Sequence, residues 1–115
     1  MTERIFTIMN ATSASGLSPN NIAQMISRGR FQPSCKTRRG TYRPYTLRDI
    51  VHLAAIADLH AAGLSLARAV EIAGRSAGGT TGRETIVRRH GETELVLNVS
   101  NIAGRVRARL GLVHA

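Results

Sequence analysis

What this sequence has least of narrows its function first. It contains no tryptophan, and aromatic residues make up 3% of its 115 positions. A reader of single strands or RNA loops needs aromatic platforms on which bases stack, so the composition argues against that class. The one cysteine, Cys35, excludes an internal disulfide and a cysteine-built zinc site, and fits a reducing compartment. The four histidines (His52, His60, His90 and His114) fall at no metal-ligand spacing, so no metal or cofactor is expected. No run approaches the roughly 18 apolar residues of a spanning helix, and no signal-peptide pattern opens the chain. A cytoplasmic, nucleoid-associated protein without membrane contact is therefore expected. Acids are scarce, seven against 16 Lys and Arg, for a formal net charge of +9. Asp49, Asp58 and Glu71 read as cap and surface acids. With no set of nucleophile, base and orienter, and no Gly-rich phosphate loop, an enzyme is not expected.

The cations that dominate this balance are concentrated. Seven of the 16 lie between positions 28 and 48 (Arg28, Arg30, Lys36, Arg38, Arg39, Arg43 and Arg48), with no acid among them. Clustered cations hold phosphates, so the favoured partner is nucleic acid, and the poverty of aromatics makes it a duplex. Residues 31–45 contain Pro33 and Pro44, which suit edge strands, and a basic turn with Gly40. They are expected to form a two-stranded wing with its tip near residues 36–40. Lys36, Arg38 and Arg39 at that tip suit a narrow minor groove, where the potential is most negative.

Helical signals flank this segment. Residues 8–15 can form a short helix ended by Gly16, after a lead-in over residues 1–7. Ser18-Pro19 is an N-cap followed by Pro at the first helical position. Ile22, Met25 and Ile26 then recur at helical spacing until Gly29. Two short helices joined by Gly-Leu-Ser make a helix-turn-helix candidate. In its second helix, Asn20, Asn21 and Gln24 lie on the face away from Ile22 and Met25. Asn and Gln can pair bidentately with adenine in the major groove. Arg28 and Arg30 at the end of that helix suit phosphate better than bases.

Thr46 and Asp49 approximate a capping box for a helix over residues 47–62, apolar almost all round and hence central to the core. Ser65 is expected to cap the next helix, with Leu66, Ala69, Val70 and Ala73 inward and Glu71 and Arg75 paired outside. A Gly- and Thr-rich linker follows at residues 77–82. Residues 84–89 and 92–99 can pair as a hairpin across His90-Gly91, with Arg89 facing Glu92 and Ile86 facing Leu95. Ser100 is expected to cap a last helix, with Val99, Ile102, Ala103, Val106 and Leu110 as its apolar stripe.

Four stretches in order carry a resemblance: Ser15-Gly16-Leu17-Ser18-Pro19, Arg28-Gly29, Gly40-Thr41-Tyr42-Arg43-Pro44-Tyr45-Thr46-Leu47-Arg48-Asp49-Ile50, and Ala62-Gly63-Leu64-Ser65-Leu66. Together they resemble the DNA-binding domain of the MerR family over about half the chain. The resemblance implies a winged helix-turn-helix that binds duplex DNA, usually as a dimer. It gives Tyr42 and Arg43 roles in phosphate contact and in supporting the wing. The sequence departs from the family at Ala23-Gln24-Met25, where an Arg-Tyr-Tyr run is usual, and by one Thr inserted between Gly40 and Tyr42. No long coiled-coil helix follows the matched region, a layout more like the compact winged domains of phage and mobile-element proteins.

The resulting expectation is a mainly α (α+β) chain. Residues 1–77 form the winged domain, and residues 78–115 form a hairpin and amphipathic helix that dimerise or cap the core. The expected function is sequence-specific binding of double-stranded DNA as a transcription regulator, through Ser18, Asn20, Asn21, Gln24, Arg28, Arg30, Lys36, Arg38, Arg39, Tyr42 and Arg43. The alternatives are an architectural role in excision or packaging, and an adaptor whose basic face takes an acidic protein.

Overall fold

The computed structural model describes residues 5–33, 44–77 and 84–111, with backbone alone at 5, 75–77, 84–90 and 93–96. The elements run β1 (Ile5–Phe6), α1 (Ile8–Ser15), α2 (Pro19–Ser27), β2 (Tyr45–Thr46), α3 (Leu47–Ala61), α4 (Leu66–Ala77), β3 (Glu84–His90), β4 (Thr93–Asn98) and α5 (Val99–Arg109). The chain is mainly helical, as expected, and α1 and α2 form the helix-turn-helix. The expected wing tip lies outside the described residues.

Local chemistry sets each helix start. The Thr7 hydroxyl accepts from the Asn10 N–H while the Asn10 amide oxygen accepts from the Thr7 N–H, a capping box for α1. Gly16, at φ +86°, turns the chain out of α1, and its N–H donates to the Thr12 carbonyl. Ser18 caps α2 through a 3.1 Å bond from the Asn21 N–H, with Pro19 at the first helical position. At the far end of α2 both the Arg30 and Phe31 N–H groups donate to the Met25 carbonyl, at 2.8 and 3.2 Å. For α3, Thr46 and Asp49 exchange bonds of 3.2 and 3.0 Å, so the shorter Asp completes the box in place of Glu. Ser65 accepts from the Arg68 N–H and opens α4.

Helix α3 lies at the centre. Ile50, Leu53, Ala54, Ala55 and Ile56 have no exposed surface, and α1, α4 and α5 all pack on it. From α2, Ile22 and Met25 enter the same core. In α4 the inward residues are Ala69, Ile72 and Ala73, while Val70 is half-buried. From α5, Val99, Ile102 and Val106 are buried against α1 and α3. Each such side chain contributes roughly 1.5–3 kcal/mol as an upper figure, so α5 is a working part of this core. The proposed domain boundary at residue 78 lies outside the described residues.

Three local expectations are corrected. Residues 5–6 are not lead-in: they pair antiparallel with β2, Ile5 opposite Thr46 and Phe6 opposite Tyr45, and Phe6 and Tyr45 are buried. The β3–β4 hairpin turns at Gly91-Glu92, one residue beyond the expected place. Gly91 has φ +59° and Glu92 does not share its positive φ, the pattern of a turn that requires Gly first. Ile86 therefore faces Val96 and Arg89 faces Glu94, with Val87 left over as a bulge. Finally, α5 is capped by Asn98, whose side chain accepts from the Asn101 N–H at 3.0 Å. Starting there rather than at Ser100 puts Val99 on the same helical face as Ile102 and Val106, where the core needs it.

Candidate nucleic-acid interface

The described part of the candidate interface is α2 and its two ends. Asn20, Asn21, Gln24, Arg28 and Arg30 are all exposed, while Ile22 and Met25 on the opposite side are buried. At about 100° per residue, Asn20, Asn21, Gln24, Ser27 and Arg28 share an arc of roughly 120°. Of the residues expected from the sequence, Asn20, Asn21, Gln24 and Arg28 share this face, while Ser18 and Arg30 stand outside the helix at its two ends. Their backbone is firmly held: the Ser18 cap fixes the N-terminus and the twin bonds to the Met25 carbonyl fix the exit. With the Ser18 hydroxyl oxygen accepting from Asn21, Ser18 is first a structural cap, and its O–H is left to donate outward. No acid stands in the first turn of α2, so the positive end of the helix dipole is available to a phosphate.

Arg28 and Arg30 form no ion pair with a described residue. The same holds for Arg48, exposed in the first turn of α3, where a cation opposes the helix dipole. In the sequence Arg48 is one cation of the basic cluster and is not among the expected site residues. Its signal was its place, since a bare cation at a helix N-terminus is poor for stability and good for phosphate. Lys36, Arg38, Arg39, Tyr42 and Arg43 lie outside the described residues.

Behind the interface, Phe31 is buried, and its ring meets His52 edge-on at 5.2 Å and 74°. This contact anchors the chain where it leaves α2. Burial lowers the His52 pKa from its ordinary value, and the nearby charge of Asp49 opposes that shift in part. The imidazole Nε2 is buried and has no hydrogen-bond partner among the described residues, as suits a neutral ring in an apolar setting. His52 is thus a half-buried histidine packed on the core residue Phe31.

Two concavities flank the helices. One, of about 450 Å³, is lined by Ile8, Pro19, Ala23, Ile26, Ser27 and Tyr45 and borders the exposed face of α2. The other, of about 400 Å³, lies between the end of α3 and the start of α5. Its charged groups, Asp58 and Arg105, are bonded to each other at 2.8 Å. Among the described residues no group of His, Cys, Asp or Glu is placed to hold a metal ion. Nor is any helix there long and apolar enough to cross a membrane.

A family model described as "MerR HTH family regulatory protein" matches residues 6–75. The match begins in β1, at a residue the sequence patterns had passed over, and ends in α4, leaving the hairpin and α5 beyond it. No curated protein matches the chain.

Proposed function

Since the chain belongs to the MerR helix-turn-helix family of DNA-binding regulators, we propose that it binds double-stranded DNA sequence-specifically and regulates transcription. Helix α2 enters the major groove, where Asn20, Asn21 and Gln24 meet base edges. Arg28 and Arg30 hold the flanking phosphates, joined by Lys36, Arg38, Arg39, Tyr42 and Arg43 of the wing segment. The observation that carries this reading is the exposed polar arc of α2, opposite its buried Ile22 and Met25 and bounded by arginines that form no ion pair with a described residue.

We further propose a homodimer made through residues 78–115. With the stripe of α5 engaged in its own core, the β3–β4 hairpin is the segment left to meet a second copy. The same engagement favours a second reading, an architectural DNA-binding role as in excision or packaging, because α5 is not free to pair as a dimerisation helix.

Selection from random duplexes at near-physiological salt tests these readings. A two-fold motif supports the dimeric regulator and gives its half-site spacing. Tandem copies of one motif support the architectural role. Retention without sequence enrichment removes the base-reading roles of Asn20, Asn21 and Gln24, and no retention at all removes the DNA-binding reading.

A further inference from the structure

Helix α2 presents two kinds of surface side by side. Its exposed arc is polar, yet the flank next to that arc is apolar. Pro19 and Ala23 are both exposed, and with Ile8, Ile26 and Tyr45 they line the concavity of about 450 Å³. Pro19 is placed by its role as first helical residue. Ala23 has no such explanation, since it neither caps the helix nor enters the core.

We infer that this concavity is a thymine-methyl site, in which the flank of α2 formed by Pro19 and Ala23 reads the C5 methyl group of a thymine. The inference rests on the major-groove placement of α2 proposed above and goes beyond it by naming what the apolar flank recognises. Three observations lead there. First, the lining contains no charged side chain, and beside the hydroxyl-bearing Ser27 and Tyr45 it is formed by the apolar Ile8, Pro19, Ala23 and Ile26. Second, among the groups that base pairs show in the major groove, the thymine methyl is the one apolar group, whereas the edges of guanine, cytosine and adenine are polar. Third, the neighbours on the exposed arc, Asn20 and Gln24, carry the side-chain amides that pair bidentately with adenine. Amide and apolar flank thus select the same base pair from its two sides, or adjacent A·T pairs. Discrimination against G·C follows from two weak contacts acting together.

The small side chain of Ala23 is the determinant. A polar residue at this position would remove the preference of the flank for a methyl group. Because Ala23 is exposed, its replacement leaves the core untouched.

The test uses the full chain and the duplex recovered by selection, with each thymine replaced in turn by deoxyuridine, which lacks only the methyl group. At one or two positions affinity should fall roughly three- to fourfold, the loss expected for one buried methyl. In Ala23→Asn the thymine and deoxyuridine duplexes should bind alike, while the protein keeps its fold by circular dichroism. Equal binding of both duplexes by the unaltered protein at every position overturns the inference and leaves the major-groove reading standing. A selected motif without A·T pairs overturns it too. Failure to retain any duplex removes the major-groove reading and the inference with it.

Discussion

Arg105 donates through Nη2 to both carboxylate oxygens of Asp58, at 2.8 Å each, and so ties α5 to α3 across 47 residues of sequence. Both side chains are more than a third exposed, at 38% and 40%, so solvent screens the pair. A double-mutant cycle with Arg105→Ala and Asp58→Ala should give a coupling of about 0.2–1 kcal/mol. Ile102→Ala, which empties a buried site on the same helix, should cost about 2–5 kcal/mol. Urea unfolding of the four variants (the two single mutants, the double mutant and Ile102→Ala) checks the order. A single cooperative transition is expected throughout, and a separate melting of α5 would contradict its place in the core.

Ser18→Ala removes the acceptor that holds the Asn21 N–H. The expected loss is about 1 kcal/mol of stability. Ser18→Asp should restore the cap yet weaken binding to duplex DNA, since it puts a negative charge where a phosphate approaches. Thermal unfolding and a binding titration on the same two variants separate the structural role of Ser18 from the functional one.

His52 makes stability depend on pH in a defined direction. Its folded pKa is lowered, chiefly by burial, from the 6.5 that applies to the unfolded chain. Below that ordinary value the unfolded chain takes up a proton that the folded one resists. Stability is therefore full above about pH 6.5 and is lost as pH falls through 6.5 toward the lower folded value. His52→Leu has no such proton and leaves no orphaned Nε2. Its free energy of unfolding should fall less than that of the unaltered protein between about pH 7.5 and about pH 5.5. An identical fall in both would reject this assignment.

The arginines and amides of the interface should fail differently. Arg28→Ala and Arg30→Ala should weaken binding to all duplexes alike, each lowering the slope of log K against log salt by about 0.9. Arg38→Ala with Arg39→Ala should do the same through the wing segment. Asn21→Ala and Gln24→Ala should leave the salt slope in place and change which duplexes are selected. Binding titrations at several salt concentrations, with selection repeated for the amide variants, distinguish the two classes.

The helices were legible because their signals are local. Ser18-Pro19, Thr46 with Asp49, and Ser65 each act over three or four residues, and the apolar spacing of α2 and α3 repeats within one element. The strand at residues 5–6 was not legible, since two residues have no period and their partners stand some forty positions away. The hairpin was visible as a hairpin, but its pairing depends on which residue takes the turn and on a bulge at Val87, neither of which alternation encodes. Asn98 and Ser100 were both fit to cap α5, and only the packing of Val99 against the core chooses between them. At the interface, the polar arc of α2 could be read from helical spacing. The apolar flank beside it could not, because Ile8 and Tyr45 reach it from other elements.

The bond that ties α5 to α1 has a history in time. Arg109 of α5 donates to the carbonyl of Ala14, in the last turn of α1, at 3.2 Å and across 95 residues. Helix α1 thus leaves the ribosome before α5, which arrives after every other described core element. Until α5 emerges, the surfaces of α1 and α3 that receive Val99, Ile102 and Val106 stay bare. During synthesis the nascent chain carries an apolar face that only its own later residues can close, and over that interval it is open to chaperones and to misassembly.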